Sequence, residues 1–571
     1  MRKRWTLLPA DEAVADHLHE VLNISPVLCR LLAQRGIKTF DEAKTFFRPD
    51  LSQLHDPFLM RDMDKAVGRL ESAFSKKEKI LLYGDYDVDG TTSVALMYGF
   101  LSKHHRQLDY YIPDRHKEGY GISMAGIGYA QQNGISLIVA MDCGIRAVEQ
   151  VAAAKKLGID FIICDHHLPE ARPDASEACI PDAVAVLDPM RPDCQYPFKG
   201  LSGCGVAFKL AQAISRVKNW PEKDLVNLLD ILVLSIAADI VPMTGENRVL
   251  AHFGLKRLNR TRRTGLRALI EKSGRRKPLA ISGIVFGIAP MLNAAGRIGD
   301  AEDAVKLLLS NDKNTAADNA RFLAHQNELR KEHDRHILLE AKRMFREMPG
   351  WEERRSILLF QKDWHKGVVG IGAARMVEHF HRPVILLTQS QGKAVGSARS
   401  VPGFNVYKAI KSCEDLLDNF GGHDHAAGMT LPVEAVPEFR ERFETAVKNS
   451  ITEEQLTPEV KLSATIDFKD ITPKFWRILK QFAPFGPGNR SPVFATKNVV
   501  DSGKSRLLKN DHLRVSLKQN GSVPMQGMAF GLGGHFTKVH SKKPFHVAYK
   551  IEEEMWKGDK YLRMVVRDFW F

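Results

Sequence analysis

The sequence predicts an α/β protein with a parallel-sheet domain, a long connecting helix, a smaller second α/β domain and a C-terminal β-barrel. Three observations predict it. Between Ile80 and about Met190, short apolar runs alternate with helical stretches, the pattern of βαβ units. From Asp312 to Met348 the chain is rich in Ala, Leu, Glu, Lys and Arg without Pro or Gly, which reads as one helix. Beyond about Ile451, short apolar segments separated by Gly and Asn turns read as strands.

A chain of 571 residues is too long for one core, and about 100–200 residues per domain implies three or four units. The expected segments are a helical stretch over 1–55, the parallel-sheet domain over 56–311, the connecting helix over 312–350, the second α/β domain over 351–450 and the barrel over 451–571. In the first, Ile24–Gly36 and Phe40–Phe47 are amphipathic, and Gly36 suits a helix C-terminus. In the second, Ile80–Tyr83, Leu137–Met141, Phe161–Cys164 and Val184–Leu187 read as strands, with Thr91–Leu101 and Arg146–Leu157 as helices between them. Leu225–Ala238 is apolar nearly all round and reads as one buried helix. Ser356–Phe360 and Pro383–Leu387 open the second α/β domain.

Hydrophobic residues make up 44% and charged residues 26%, the balance of an ordinary globular protein. The formal charge is +14, and the stretch from Leu456 to Phe571 holds twenty Lys and Arg against ten Asp and Glu. Positive charge focused on one module suits a polyanionic partner. Seven scattered cysteines without a Cys-x-x-Cys pair argue against a disulfide framework and a structural zinc site. The N-terminus has no apolar stretch of signal-peptide length and no run of about 18 apolar residues is seen, so the expected location is the cytoplasm.

The strongest chemical signal is LLYGDYDVDGTTS over 81–93. Asp85, Asp87 and Asp89 alternate at the end of an apolar strand, and period two points them to one side. Crowded carboxylates repel unless a cation neutralises them. The run also matches the first half of an EF-hand loop, but its twelfth position is Leu96 rather than Glu, and a strand precedes it. Asp142 follows a second apolar strand, and Asp165, His166 and His167 follow a third. Acids just past three strands gather at one carboxyl edge, where open α/β sheets bind ligands. Asp239, ending the buried helix, is a fifth position that is costly unless paired or liganded. Carboxylates with imidazole and no thiolate favour Mg²⁺ or Mn²⁺, and this many ligands suits two ions, as in phosphodiester hydrolysis.

Together GDYDVDG, Asp142, the Asp-His-His triplet 165–167 and Asp239 resemble the four motifs of the DHH phosphoesterase superfamily. The likeness to its RecJ family extends over nearly the whole chain. It takes in RGIKTFDEAKTFF (35–47), YIPDRHKEGYG (111–121), PMLNAAGRIGDA (290–301), GSARS (396–400), GGHDHAAG (421–428), APFGPGN (483–489) and KNDHLRVSL (509–517). One departure is Asp424–His425, where that family usually carries small or apolar residues. The resemblance implies a DHH catalytic domain, a DHHA1 domain and an OB-fold. It implies a single-stranded-DNA-specific 5′→3′ exonuclease of recombination and repair that releases mononucleotides. Asp87, Asp89, Asp142, His166 and Asp239 become the implied metal ligands, with Asp142 a candidate bridge. Asp85 and Asp165 would ligate or orient a His, and His167 would contact the scissile phosphate. Arg115, Ser397 and Arg399 are implied to hold a 5′-phosphate, and Gly421, Gly422 and His423 to form a Gly-rich loop on the phosphate backbone. Asn293 and Arg297, in an apparent Gly/Ala-rich turn, are candidate substrate contacts, and Phe485 and Phe494 candidate base-stacking positions. The implied partners are single-stranded DNA, a single-strand-binding protein and a RecQ-type helicase, with a monomeric enzyme. Two other superfamily types fit less well. Phosphodiesterases of short RNAs or cyclic dinucleotides generally lack a basic OB tail, and an inactive replication-fork scaffold would have lost site acids.

Overall fold

Strands whose every side chain is apolar must be covered on both faces, and the first four apolar runs are. In the computed structural model, which describes residues 3–115, 117–171, 178–509, 511–556 and 559–571, they form a parallel sheet. His116 and Asn510, each inside a motif quoted above, lie outside the described residues. The strands are β1 (Ile80–Gly84), β2 (Leu108–Tyr111), β3 (Leu137–Met141), β4 (Asp160–Cys164) and β5 (Ala185–Leu187), in the order β2-β1-β3-β4-β5. Leu82, Val139 and Ile162 face one core, while Leu81, Ile138 and Ile163 face another. The chain leaves β1 for β2 and then returns across it to β3, so the strand order reverses between β1 and β3.

Five helices matter to the site. They are α1 (Val88–Leu101), α2 (Gly203–Lys218), α3 (Leu229–Ala238), α4 (Gly245–Leu258) and α5 (Thr264–Lys272). Helix α1 begins three residues before the pattern predicts, because Asp87 caps it. The predicted helix Leu225–Ala238 is broken at Asn227–Leu228. There the Asn227 carbonyl accepts a hydrogen bond from Arg263 at 3.0 Å, which competes with the helical ladder. The segment Ile281–Ile298 is long and apolar enough to cross a membrane by composition, yet 56% of it is buried inside the protein. It contains a π-helical turn, Ile284–Ile288, followed by α6 (Ala289–Ile298). Asn293 and Arg297 therefore stand on a helix rather than in a turn. Ala294, Ala295 and Gly296 there are buried, so the small residues serve close packing instead. All these elements belong to one unit, Pro49–Glu332 with Pro484–Asn489. The long helix α7 runs from Lys313 to Glu347.

The other unit comprises Met1–Arg48, His333–Ala483 and Arg490–Phe571. Its mixed sheet contains β6 (Ile357–Phe360), β7 (Val384–Ser390), β8 (Lys393–Arg399), β9 (Asn419–His423) and β10 (Ala426–Pro432), in the order β9-β10-β8-β7-β6. Helix α8 (Val369–Phe380) packs on β7 and β8. Beyond it, β11 (Phe494–Asp501), β12 (His512–Lys518), β13 (Met525–Ala529), β14 (Phe545–Trp556) and β15 (Asp559–Trp570) pair as β11-β14-β15-β13-β12. Pairing of Val500 with Lys518 closes the ring into a five-stranded barrel. Phe494 and Tyr549 are fully buried in it, so Phe494 packs the core and cannot stack a base. The first residues contain a strand as well as helices: Arg4–Leu7 pairs in parallel with Glu459–Leu462. Periodicity over four residues cannot reveal a partner that far along the chain.

Candidate metal centre and phosphate-binding residues

The sheet register brings the acids into one row. Gly84 pairs with Met141, Met141 with Cys164, and Cys164 with Leu187. The next residues along are Asp85, Asp142, Asp165 and Asp188. They stand at the carboxyl edge, and the first two flank the strand-order reversal where α/β sheets bind ligands. Asp188 was not anticipated, although its position directly after the run Val184–Leu187 was a usable signal.

Each acid is set by its local backbone. Asp87 caps α1, accepting hydrogen bonds from the amides of Asp89 at 2.7 Å and Gly90 at 3.1 Å. Gly90 is required there, because a Cβ would sit 2.2 Å from the Asp85 carbonyl oxygen. Asp89 lies against the first turn of α2. Its Oδ2 accepts from the Gly203 amide at 2.7 Å, and its Oδ1 from Cys204 at 2.8 Å and the Ser235 hydroxyl at 2.7 Å. The positive end of α2 thus holds the carboxylate in place. A side chain at Gly203 would put its Cβ 2.6 Å from that of Asp142, so glycine lets α2 approach the acids. Asp142 has φ 62° and Ile240, directly after Asp239, has φ 59°, both left-handed. Such conformations cost about 1–2 kcal/mol for non-glycine residues and are kept where the surroundings over-determine them.

The side chains converge. His166 Nε2 lies 3.2 Å from Asp142 Oδ1, 3.8 Å from Asp89 Oδ2 and 3.8 Å from Asp239 Oδ2. It is buried without a hydrogen-bond partner, and so is Asp85 Oδ1. Ligand atoms close enough to share one ion come from Asp85, Asp87 and Asp142, from Asp89, His166 and Asp239, and from Asp142, His166 and His167. Burial, then the charge of Asp87, pushes the Asp85 carboxyl up to about 8. Burial, then Asp89, pushes Asp239 up to about 8. Asp87 and Asp142 are raised by burial and by their acidic neighbours. Acids held this close and this dry demand a cation. The orphaned imidazole nitrogen and carboxylate oxygen, with an all-O/N donor set, fit Mn²⁺ or Mg²⁺.

Asp165 behaves differently. Burial would raise it, but the hydrogen bond and charge of His167, with the Ile145 amide at 2.9 Å, hold it down at about 2. Its partner is raised in turn. Burial would lower His167, but Asp165 Oδ1, 2.7 Å from Nδ1, holds it up at about 9. The hydroxyl of Tyr120, also unanticipated, lies 3.3 Å from His167 Nε2. Asp188 accepts from the Met190 amide at 2.7 Å through Oδ1, and burial followed by Asp165 pushes it up to about 8.

Asn293 reaches the acid loop directly, its Oδ1 accepting from the Val88 amide at 3.2 Å. The Arg115 guanidinium lies 4.8 Å from the Tyr86 ring centre, and the charges of Arg115 and Arg297 both act on that phenol. In the other unit, the Arg399 guanidinium donates to Ser397 Oγ at 2.6 Å. Both stand beside the first turn of α8, where a Cβ on Gly370 would lie 3.1 Å from Arg399 Nη2 and 3.2 Å from Ser397 Oγ. Gly421, Gly422 and His423 do not form a loop: they lie on the edge strand β9, with Gly421 opposite Gly428 and Gly422 opposite Ala427. Gly422 is required by φ 149° and by the Ala426 carbonyl 2.3 Å from a Cβ placed there.

Comparison with known proteins agrees with this architecture. Residues 79–236 match the DHH family N-terminal domain, 355–449 the DHHA1 domain and 462–568 the RecJ OB domain. The single-stranded-DNA-specific exonuclease RecJ of Bacillus subtilis is 37% identical over 99% of this chain and 71% of that protein. The Escherichia coli RecJ is 32% identical over 96% of both chains. The crystal structure of Thermus thermophilus RecJ in complex with Mn²⁺ superposes with a TM-score of 0.83 at 27% identity, covering 100% of this chain and 79% of that one. An exonuclease RecJ bound to manganese gives 0.60 at 30% identity, covering 71% and 98%. Full-length relatives above 30% identity, the three matched domains in order and the row of acids on the sheet edge establish that this chain belongs to the RecJ family of single-stranded-DNA-specific exonucleases.

Proposed function

We propose that the protein hydrolyses single-stranded DNA from its 5′ end, releasing mononucleotides, with two divalent cations, Mn²⁺ or Mg²⁺. The observation that carries this reading is the overlap of the ligand sets: Asp142 belongs to one with Asp85 and Asp87, and His166 links it to Asp89 and Asp239. Asp85 and Asp87 would hold one ion, Asp89, His166 and Asp239 the other, and Asp142 both. Such a pair supplies charge neutralisation on the attacking and leaving oxygens and lowers the pKa of a coordinated water. Asp165 keeps His167 protonated, and that imidazolium donates to the scissile phosphate as charge develops on it. Asn293 fixes the acid loop through the Val88 amide, and Arg297 contributes positive charge on the substrate side.

Ser397 and Arg399 beside the α8 N-terminus supply a hydroxyl, a guanidinium and helix amides, donors suited to a terminal phosphate. Arg115 is proposed as a further phosphate contact, and the β9 residues Gly421, Gly422 and His423 as contacts to the strand's backbone. The segments 1–55, 56–311, 312–350, 351–450 and 451–571 are the proposed domain limits. A single-strand-binding protein and a RecQ-type helicase are the proposed partners of a monomeric, cytoplasmic enzyme. Digestion of strands labelled at one end tests the reading: with Mn²⁺, a 5′ label should appear first as mononucleotide. Release of a 3′ label first would overturn it.

Two further outcomes are expected. Arg399→Ala should lower kcat/KM on 5′-phosphorylated strands by about 10–100-fold, the scale of a charged hydrogen bond, and much less on 5′-hydroxyl strands. Equal losses on both would make Arg399 a general backbone contact. The second concerns pH. Asp85 and Asp239 hold protons up to about 8 in the metal-free fold, well above their unfolded range. Their contribution to the metal-free protein is therefore complete at low pH and lost as pH rises through about 8, and a bound cation reverses the loss. The Tm increase on replacing EDTA with Mn²⁺ should be larger at pH 9 than at pH 6. An equal increase at both would separate the acids from the metal.

A further inference from the structure

The C-terminal segment is not the only focus of positive charge. Residues 256–277 hold ten Lys and Arg and a single acid, Glu271. They span the end of α4, all of α5 and the following loop. Two of the ten bond side chains of the fold. Arg263 donates to buried Asp230 at 3.0 Å, and Arg257 bonds the Asn227 side chain. The other eight side chains are exposed, and among the described residues none of them forms a salt bridge. Unbalanced charge at this density is self-repelling in the free protein, which marks a surface kept for a polyanion.

The patch is folded rather than a loose tail. Asn259 binds Leu279 through both its amide nitrogen, at 3.0 Å, and its oxygen, at 2.6 Å, tying the loop back to the end of α4. Arg267, Arg275 and Lys277 line one shallow depression with Ile270 and Gly274. Arg275 crosses Gly287 and donates to the Phe286 carbonyl at 2.6 Å. Phe286 stands on the π-helical turn with 69% of its surface exposed. π-Helical turns inside helices are often found at functional sites. An exposed aromatic ring beside a guanidinium group is an arrangement that grips unpaired bases and their phosphates together. The same helical segment leads onward to Asn293, which bonds the acid loop, seven residues or about 10 Å of helix rise from Phe286.

We infer that this patch is a second grip for single-stranded nucleic acid, with Arg262, Arg267, Lys272 and Arg276 on phosphates and Phe286 stacking a base. This rests on the reading that single strands are the substrate, and takes it further by placing a contact outside the catalytic centre and the basic C-terminal segment. Seven of the ten cations are Arg, whose planar fork suits phosphate oxygens. A paired duplex offers no free base face to Phe286, which favours the single strand.

The test is equilibrium binding of a fluorescent 40-mer and a 5-mer of deoxythymidine, in EDTA so that no hydrolysis occurs, across a salt series. The triple variant R262Q/R267Q/R276Q should weaken the 40-mer by about 10–100-fold. It should also reduce the slope of log Kd against log salt by about two units, since each single-strand phosphate contact contributes about 0.7. Binding of the 5-mer in EDTA, and its turnover in a separate assay with Mn²⁺, should stay near wild type. Phe286→Ala should weaken the 40-mer by roughly 10-fold with an unchanged slope, the signature of lost stacking. Equal losses on both lengths, or an unchanged slope in the triple variant, would overturn the inference. So would a variant that loses affinity for poly-glutamate but none for DNA. A wild type that binds the 40-mer but, given Mn²⁺, does not degrade it from the 5′ end would sink the exonuclease reading instead, and the salt slopes would still decide the patch.

Discussion

Asp142→Asn is expected to reduce hydrolysis of single-stranded DNA by about 10³-fold or more while leaving strand binding within a few-fold of wild type. The substitution keeps the shape of the side chain and removes one charge from the centre of the row. Asp142 is the acid shared between ligand sets, and His166 Nε2 lies 3.2 Å from it. Loss of that carboxylate therefore weakens both halves of the centre at once. A thermal signature should accompany the kinetic one. With one fewer mutually repelling acid, the metal-free protein should melt higher than wild type, and the increase in Tm on adding Mn²⁺ should shrink. Asp89 makes a less clean target, because its replacement also strips the acceptor from the Gly203 and Cys204 amides at the start of α2. Wild-type kcat in the Asp142→Asn variant at saturating Mn²⁺ would mean that the centre lies elsewhere.

His167→Gln should lower kcat by about 10²–10³-fold, the usual consequence of removing one charged donor from a developing oxyanion. The pH profile separates this role from a structural one. In the metal-free fold Asp165 holds His167 up at about 9, so the imidazole carries its proton at neutral pH and loses it on the alkaline side. The wild-type rate should fall on the alkaline side as the imidazole loses its proton, and that limb should be absent in the Gln variant. A variant that keeps the alkaline limb, or loses Tm as steeply as it loses rate, would assign His167 to packing. Asp165→Asn should act in the same direction through the imidazole, moving the alkaline limb to lower pH.

Much of this was legible in the linear chain because it depends on short-range patterns. Strands buried on both faces write continuous apolar runs, and the residue after each run stands at a sheet edge. That is why Asp85, Asp142 and the Asp165–His167 group fall together on the sequence pattern alone. Asp188 obeys the same rule, but a single Asp after a short run carries no motif. The long helix α7 was visible in composition alone, and begins and ends within one residue of the predicted limits.

The rest depended on partners distant in sequence. Nothing near Asp89 announces that the first turn of α2, over a hundred residues later, would donate to its carboxylate. Asn293 and Arg297 read as turn residues because Gly and Ala were nearby, but those small residues allow a helix to pack closely. Gly421 and Gly422 read as a loop for a similar reason, whereas β10 claims them for a sheet edge. Phe494 was open to solvent or core until the barrel closed around it. The fold class, the order of the domains and the chemistry of the acid row follow from the linear chain, since periodicity and local propensity act over a few residues. Which acids crowd together, which histidine is held up by its neighbour and which cations are left exposed follow from burial, mutual charge and hydrogen-bond geometry, and these arise only when distant segments meet.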